Sequence, residues 1–238
     1  MNKKKIKKIG IIGFKGFVGS AIAREFKKKK IFFLGLTRKN HKNFINIKFD
    51  YLINCSLPSK RFWAKKNPKL DFNETVNKTK FFVDKFKNKK FIQISSISSR
   101  CQKDTVYGKN RLKSEKIIKK CKNFLIIRLG PMFDKTLTKG VLIDLIKSQT
   151  VFVNKMSKYS FTNLKWIASW ITKNFDIETG LIEIGSRDHI ILENLAKYLK
   201  SKSKFYGRAD NQIIKSKYNY DCSSQEVLLF LRNANKKS

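Results

Sequence analysis

The sequence predicts an α/β fold, a doubly wound parallel sheet followed by a small C-terminal α/β lobe. Three observations carry that reading. Apolar runs of strand length alternate with helical patterns up to residue 130, a glycine-rich turn joins the first run to the first helix, and the rhythm changes after Pro131. Strands that are covered on both faces by crossover helices read as near-continuous apolar runs, as these do.

In order, residues 6–13 (IKKIGIIG) read as a buried strand ending in glycine, and Ser20 to Lys29 as a helix packing through Ala21, Ile22, Ala23 and Phe26. IFFLGL (31–36) and FDYLINC (49–55) are the next two strands, and the short stretch 37–50 leaves little room for a further strand and helix between them. Phe72, Val76, Thr79, Phe82, Val83 and Phe86 recur at helical spacing within 71–87. FIQISS (91–96) is a strand, YGKNRLKSEKIIKK (107–120) a helix, and FLIIRLG (124–130) a strand. Beyond Pro131 come a helix near 140–148, a weak strand TVFVN (150–154), and an amphipathic helix in 160–175 with Asn163 as its cap. GLIEIGS (180–186) is a strand, ILENLAKYLKS (191–201) a helix, and the tail from Tyr220 a short capped helix. The division is therefore 1–134 as the main domain and 135–238 as the small lobe, with some of its segments returning to the main domain.

The formal charge of +37 invites a polyanion partner, but only 9 of the 54 basic residues are Arg. Asn, Ile and Phe are abundant while Ala, Gly and Pro are scarce, a slant that A/T-rich codons produce. Nucleic-acid sites favour arginine for bidentate contacts, and the lysine runs 3–5 and 27–30 carry no interleaved aromatics. The charge is read as solvated surface, with no specific nucleic-acid partner. Cys55, Cys101, Cys121 and Cys222 form no CxxC pair, and with two histidines no metal site is expected. Free thiols and the lack of an apolar leader predict a cytoplasmic location, and no run approaches the ~20 apolar residues of a membrane span.

Gly13, Gly16 and Gly19 stand in G-x-x-G-x-x-G spacing between a predicted strand and helix. Glycines there let the backbone turn tightly and approach a pyrophosphate, while free N–H groups at the helix start bind its charge. This predicts a Rossmann-type dinucleotide site. The end of the second strand, 18 residues past Gly19, should meet the adenosine ribose. An NAD site places a carboxylate there. Thr37, Arg38 and Lys39 instead offer two cations, which suit a 2′-phosphate and favour NADP over NAD.

Taken together, GFKGFVGS, FIQISS, YGKNRLKSE and IIRLGPMFD resemble the extended short-chain dehydrogenase/reductases, the NAD(P)-dependent nucleotide-sugar epimerases, dehydratases and reductases. The likeness continues through DYLINCS, NKTKFFV, YSFTNLKWIASWI, GLIEIGSRDHIILENLA and YDCSSQEVLLFL, in the family's order. It implies hydride transfer between nicotinamide and a nucleotide-linked sugar, in surface-polysaccharide or other glycan precursor biosynthesis. It further implies Ser96 as the serine that orients the substrate oxygen, with Ser95 or Ser98 as alternatives, and Tyr107 as general acid or base. Arg111 occupies the position of the family's lysine, four residues on from the tyrosine, where it is expected to lower the phenol's pKa from about 10. The cofactor would be lined by Gly13, Phe14, Lys15, Gly16, Phe17, Val18, Gly19, Thr37, Arg38, Cys55, Ser56 and Arg111. A homodimer is compatible with the resemblance.

Arginine for lysine is not a conservative exchange, because the guanidinium is planar and longer. Ten residues separate Ser96 from Tyr107, and they supply only Asp104 as a further acid, which favours reduction or epimerisation over dehydration. The competing expectation is a cofactor-binding sensor or regulatory protein without turnover, and a third is a nucleic-acid binder using the basic surface.

Overall fold

The computed structural model describes residues 7–216 and 218–235. The lysine run 3–5 and the first residue of the expected 6–13 strand lie outside them. The chain forms two compact units: one built from the chain through Arg128 together with Ala168–Ile182, the other from Leu129–Ile167 and the chain from Glu183 onward.

Strand β1 (Ile9–Ile12) leads through the glycine turn into helix α1 (Phe17–Lys28), then β2 (Leu34–Leu36), β3 (Phe49–Asn54), α2 (Arg61–Lys66) and α3 (Pro68–Phe72). A π-helical turn, Asn73–Asn77, joins α3 to α4 (Lys78–Lys85), followed by β4 (Asn88–Ser96), α5 (Ser98–Cys101), α6 (Val106–Ile118) and β5 (Phe124–Leu129). Then come β6 (Met132–Phe133), α7 (Val141–Ile146), β7 (Lys158–Tyr159), β8 (Thr162–Asn163), α8 (Leu164–Asn174) and β9 (Gly180–Ile184). The chain closes with β10 (Ile190–Ile191), α9 (Leu192–Tyr198) and α10 (Glu226–Asn235).

The main sheet has six strands in the order β2-β1-β3-β4-β5-β9, and β1 pairs in parallel with both β2 and β3, as β3 does with β4. Every residue of β1 is buried, as expected of a strand covered on both faces. On one side Ile12, Leu36, Leu52, Phe82, Phe86, Phe91 and Ile126 share a core. Elsewhere Phe26 of α1 meets Phe175 at 5.4 Å between ring centroids, and Phe175 meets Tyr51 at 5.0 Å. The connection between β2 and β3 contains only the 3-10 turn His41–Phe44, so the expected lack of an intervening strand and helix is seen. Phe44, Ile45 and Ile47 from that connection pack on the Phe49–Phe82–Phe86 cluster, filling the face it crosses.

Several local expectations are corrected. The second strand is shorter than 31–36, because Phe32 is 65% exposed and only Leu34–Leu36 pair with β1. The expected 71–87 helix runs to Lys85 and buries Val76, Thr79 and Phe82, but the π turn Asn73–Asn77 inside it adds a residue to one turn and shifts the register. TVFVN forms no strand: Val151 makes one isolated bridge to Phe205, and Phe152 faces solvent. Asn163 does cap α8, its Oδ1 accepting the Lys165 N–H at 2.9 Å. The second unit has its own core, with Leu142, Leu145, Phe161, Leu192, Leu195, Val227 and Leu231 buried together. Within it Asp188 accepts the Ser223 hydroxyl at 2.6 Å and the Ser224 N–H at 2.5 Å, tying the start of α10 in place.

Candidate functional site

The first four strands of the sequence run parallel, so Gly13, Thr37, Cys55 and Ser96 all lie at the C-terminal ends of neighbouring strands, at the same end of the sheet. Chain order also reverses there, since β2 lies on one side of β1 and β3 on the other, and that crevice is where open α/β sheets bind ligands.

The three glycines have different structural reasons. Gly13 has φ +75°, and a Cβ on it would stand 2.9 Å from the Cα of Ser56; its N–H donates to Leu36 O at 3.0 Å. At Gly19 a Cβ would lie 2.3 Å from Gly13 O, so only glycine lets α1 close onto the turn. Gly16 is the odd one out. It is exposed, its φ is −76°, and the nearest obstacle to a Cβ is Gly13 O at 3.2 Å. A side chain there would need a shift of only a few tenths of an ångström, far less than at Gly19. Beyond it Phe17, Val18 and Gly19 begin α1, whose first-turn N–H groups have no partner inside the helix. Phe14 turns away, its ring lying so close over Gly35 that a Cβ there would meet it at 2.6 Å, while Lys15 is exposed with Nζ 5.8 Å from that ring.

The β3 end is held by Asn54, which is buried. Its Oδ1 accepts the Ser56 N–H at 3.0 Å and the Ser56 hydroxyl at 2.7 Å, and its Nδ2 donates to Gln93 Oε1 at 3.0 Å. The Cys55 N–H donates to Ile12 O at 2.9 Å, and burial pushes its thiol up to about 12, so it is no thiolate at neutral pH. At the β2 end Thr37 is spent on a local turn: its N–H and hydroxyl both donate to Asn40 Oδ1, at 2.6 and 2.9 Å. Arg38 projects outward from that turn and meets Glu74 at 3.0 Å.

Helix α6 begins at a Thr105 cap, whose hydroxyl accepts the Gly108 N–H at 3.0 Å. Tyr107 and Arg111 project one turn apart and are 7% and 3% exposed. The guanidinium carbon sits 4.7 Å from the Tyr107 ring centroid, a stacked cation–π contact worth on the order of 2 kcal/mol when desolvated. Its Nη2 donates to Pro58 O, and its buried Nε has no partner among the described residues. Arg111 therefore ties α6 to the loop after β3 rather than standing as a free cation. Ser96 ends β4, its Oγ accepting the Ser98 N–H at 3.2 Å. Ser95 points elsewhere, donating to Glu115 Oε1 at 2.6 Å.

Sequence reading missed three residues behind this site. Gly108 lets α6 dock on α5, since a Cβ would fall 2.0 Å from Gln102 O. Glu115 is fully buried, accepts the Ser95 and Ser99 hydroxyls, and is gripped by Arg128 through Nε at 3.0 Å and Nη2 at 2.6 Å. Asp71, also buried, accepts Asn110 Nδ2 at 2.8 Å. For Asp71 and Glu115 the available signal was a carboxylate within a helical segment of a lysine-rich chain. Among the described residues no group of three or more His, Cys, Asp or Glu side chains could hold a metal ion, and no helix is long and apolar enough to cross a membrane.

No protein-family profile and no curated protein sequence matches the chain. Solved structures do. The UDP-glucose 4-epimerase of Thermotoga maritima, solved with UDP-glucose, superposes with a TM-score of 0.77 at 14% identity, over 97% of this chain and 99% of that one. The dTDP-4-dehydrorhamnose reductase of Bacillus anthracis str. Ames, in complex with NADP, gives 0.75 at 15%, covering 96% and 98%. The NAD-dependent NDP-hexosamine 5,6-dehydratase of tunicamycin biosynthesis gives 0.78 at 10%, covering 98% of each chain. The fold is thus that of the nucleotide-sugar epimerases, dehydratases and reductases, the same group that the sequence motifs resemble.

Proposed function

We propose that this chain, built on the fold of the nucleotide-sugar epimerases and reductases, is an NAD(P)-dependent oxidoreductase or epimerase acting on a nucleotide-linked sugar. The observation that carries the reading is the convergence, at the C-terminal ends of neighbouring strands, of the glycine turn, the β3 end at Cys55–Ser56 and Ser96. These residues fit a dinucleotide: Gly16 leaves an exposed gap over the free N–H groups of α1, which suits a pyrophosphate. Two of the structural relatives named above use NADP and NAD. Nicotinamide, when bound, supplies or accepts the hydride. The chain's own residues do the rest. Tyr107 moves the hydroxyl proton, Ser96 orients the sugar oxygen, and Arg111 holds the Tyr107 ring and the Pro58 loop in register. Its contacts with Pro58 O and the Tyr107 ring make Arg111 a positioning residue. Arg38 reads a 2′-phosphate, which favours NADP. Reduction or epimerisation is the favoured outcome.

The test is dinucleotide titration followed by turnover against a panel of nucleotide sugars. Binding with turnover, and loss of turnover but not of binding in Tyr107→Phe, is the expected result; turnover that survives Tyr107→Phe sinks the assignment. A second reading, a dinucleotide-binding sensor, is favoured by the engagement of Arg111 with Pro58 and the Tyr107 face. Tight dinucleotide binding with no turnover by wild type or by Arg111→Lys would select it.

A further inference from the structure

The end of β2 carries no carboxylate in sequence, yet the fold brings one to it. Glu74, on the π turn between α3 and α4, places Oε2 3.0 Å from Arg38 Nη2. It is not a loose surface pair at the Glu74 end. Its carboxylate is 22% exposed and is also held by Lys78 at 2.5 Å, one helical turn on, whereas Arg38 is 84% exposed. The backbone beneath Arg38 is fixed as well. Asn40 binds Thr37 and Gly35, and His41 Nδ1 contacts the Thr37 and Arg38 carbonyls while its ring meets Phe81 edge-on at 5.8 Å. Arg38 is thus presented at the β2 end with its Nη2 already engaged by Glu74.

We infer that Glu74 is a specificity-determining residue for the dinucleotide: its carboxylate partly neutralises Arg38 and so limits the preference for a 2′-phosphate over a 2′-hydroxyl. The inference rests on the reading that Arg38 meets the adenosine ribose. Electrostatics sets the sign. A phosphate monoester carries about 1.5 to 2 negative charges at pH 7, and a fixed carboxylate that already holds the Arg38 guanidinium opposes it, while a neutral 2′-hydroxyl is indifferent or donates to the carboxylate. With aqueous screening the effect is about three- to ten-fold in affinity and shrinks as salt rises.

The experiment is fluorescence titration of NADPH and NADH against wild type, Glu74→Gln, Glu74→Asp and Arg38→Ala at two salt concentrations, reading the ratio of the two Kd values. Glu74→Gln should raise the NADPH preference about three- to ten-fold at low salt, and less at high salt. Glu74→Asp, which keeps the charge, should stay near wild type. A merely structural loss would weaken both dinucleotides together and leave the ratio alone. If Arg38→Ala lowers the ratio while Glu74→Gln leaves or lowers it, the inference is overturned and the Arg38 reading stands. If Arg38→Ala leaves the ratio unchanged, or neither dinucleotide binds wild type, that reading falls and the inference falls with it.

Discussion

Replacing Glu115 with Gln should cost about 3–5 kcal/mol of stability. The carboxylate is 0% exposed and accepts four hydrogen bonds, from Ser95 Oγ at 2.6 Å, Ser99 Oγ at 2.8 Å, and Arg128 Nε and Nη2 at 3.0 and 2.6 Å. Gln keeps the shape but turns one acceptor oxygen into a pair of N–H donors, so a donor faces donors. It also leaves the Arg128 cation, whose side chain is 11% exposed, without its counter-charge. Against a total stability of roughly 5–15 kcal/mol that is a large fraction. Urea unfolding followed by circular dichroism should show the midpoint falling by about 1–3 M at unchanged slope. The double variant Glu115→Met with Arg128→Met should recover much of the loss, because removing both charges leaves neither buried alone. A shift of under about 1 kcal/mol for Glu115→Gln, or a double variant as costly as the two single changes combined, would refute the buried-pair argument.

Gly16→Val should abolish dinucleotide binding while the melting temperature stays within a few degrees, because the position is exposed with an ordinary φ; normal binding would show that the turn is not the phosphate site. Gly19→Ala should instead destabilise by about 1–3 kcal/mol, since its Cβ would meet Gly13 O at 2.3 Å, and unchanged thermal unfolding would contradict that packing. Arg111→Lys keeps a cation and restores the residue that the family resemblance gives at this position, so turnover should be retained or raised; lost turnover with intact binding would make the guanidinium itself essential. Burial works against ionisation of Asp188, but the Ser223 and Ser224 hydrogen bonds outweigh it and hold the carboxyl below its usual value. Its contribution to stability is therefore complete above about pH 4 and lost as pH falls through the lowered value. Asp188→Asn should flatten that part of the acid unfolding curve, and an unaltered acid limb would overturn the assignment.

What the sequence by itself determined is local. The apolar run 9–12 dictates a strand buried on both faces, and the glycine spacing after Ile12 dictates the turn into α1, because both depend on neighbours within a few residues. The four-residue step from Tyr107 to Arg111 likewise fixes their shared helical face. Tertiary structure decided what those side chains touch. Arg111 finds the carbonyl of Pro58, 53 residues away, and Arg38 finds Glu74, 36 residues away. Periodicity carries no record of such partners. It also could not show that Phe32 would be exposed or that a π turn would lie within the 71–87 helix, since burial and register there depend on which element packs alongside. Of the three glycines, only the packed fold reveals that Gly13 and Gly19 serve the turn itself, because a Cβ on either would strike backbone at 2.9 and 2.3 Å, whereas at Gly16 the nearest atom is 3.2 Å away.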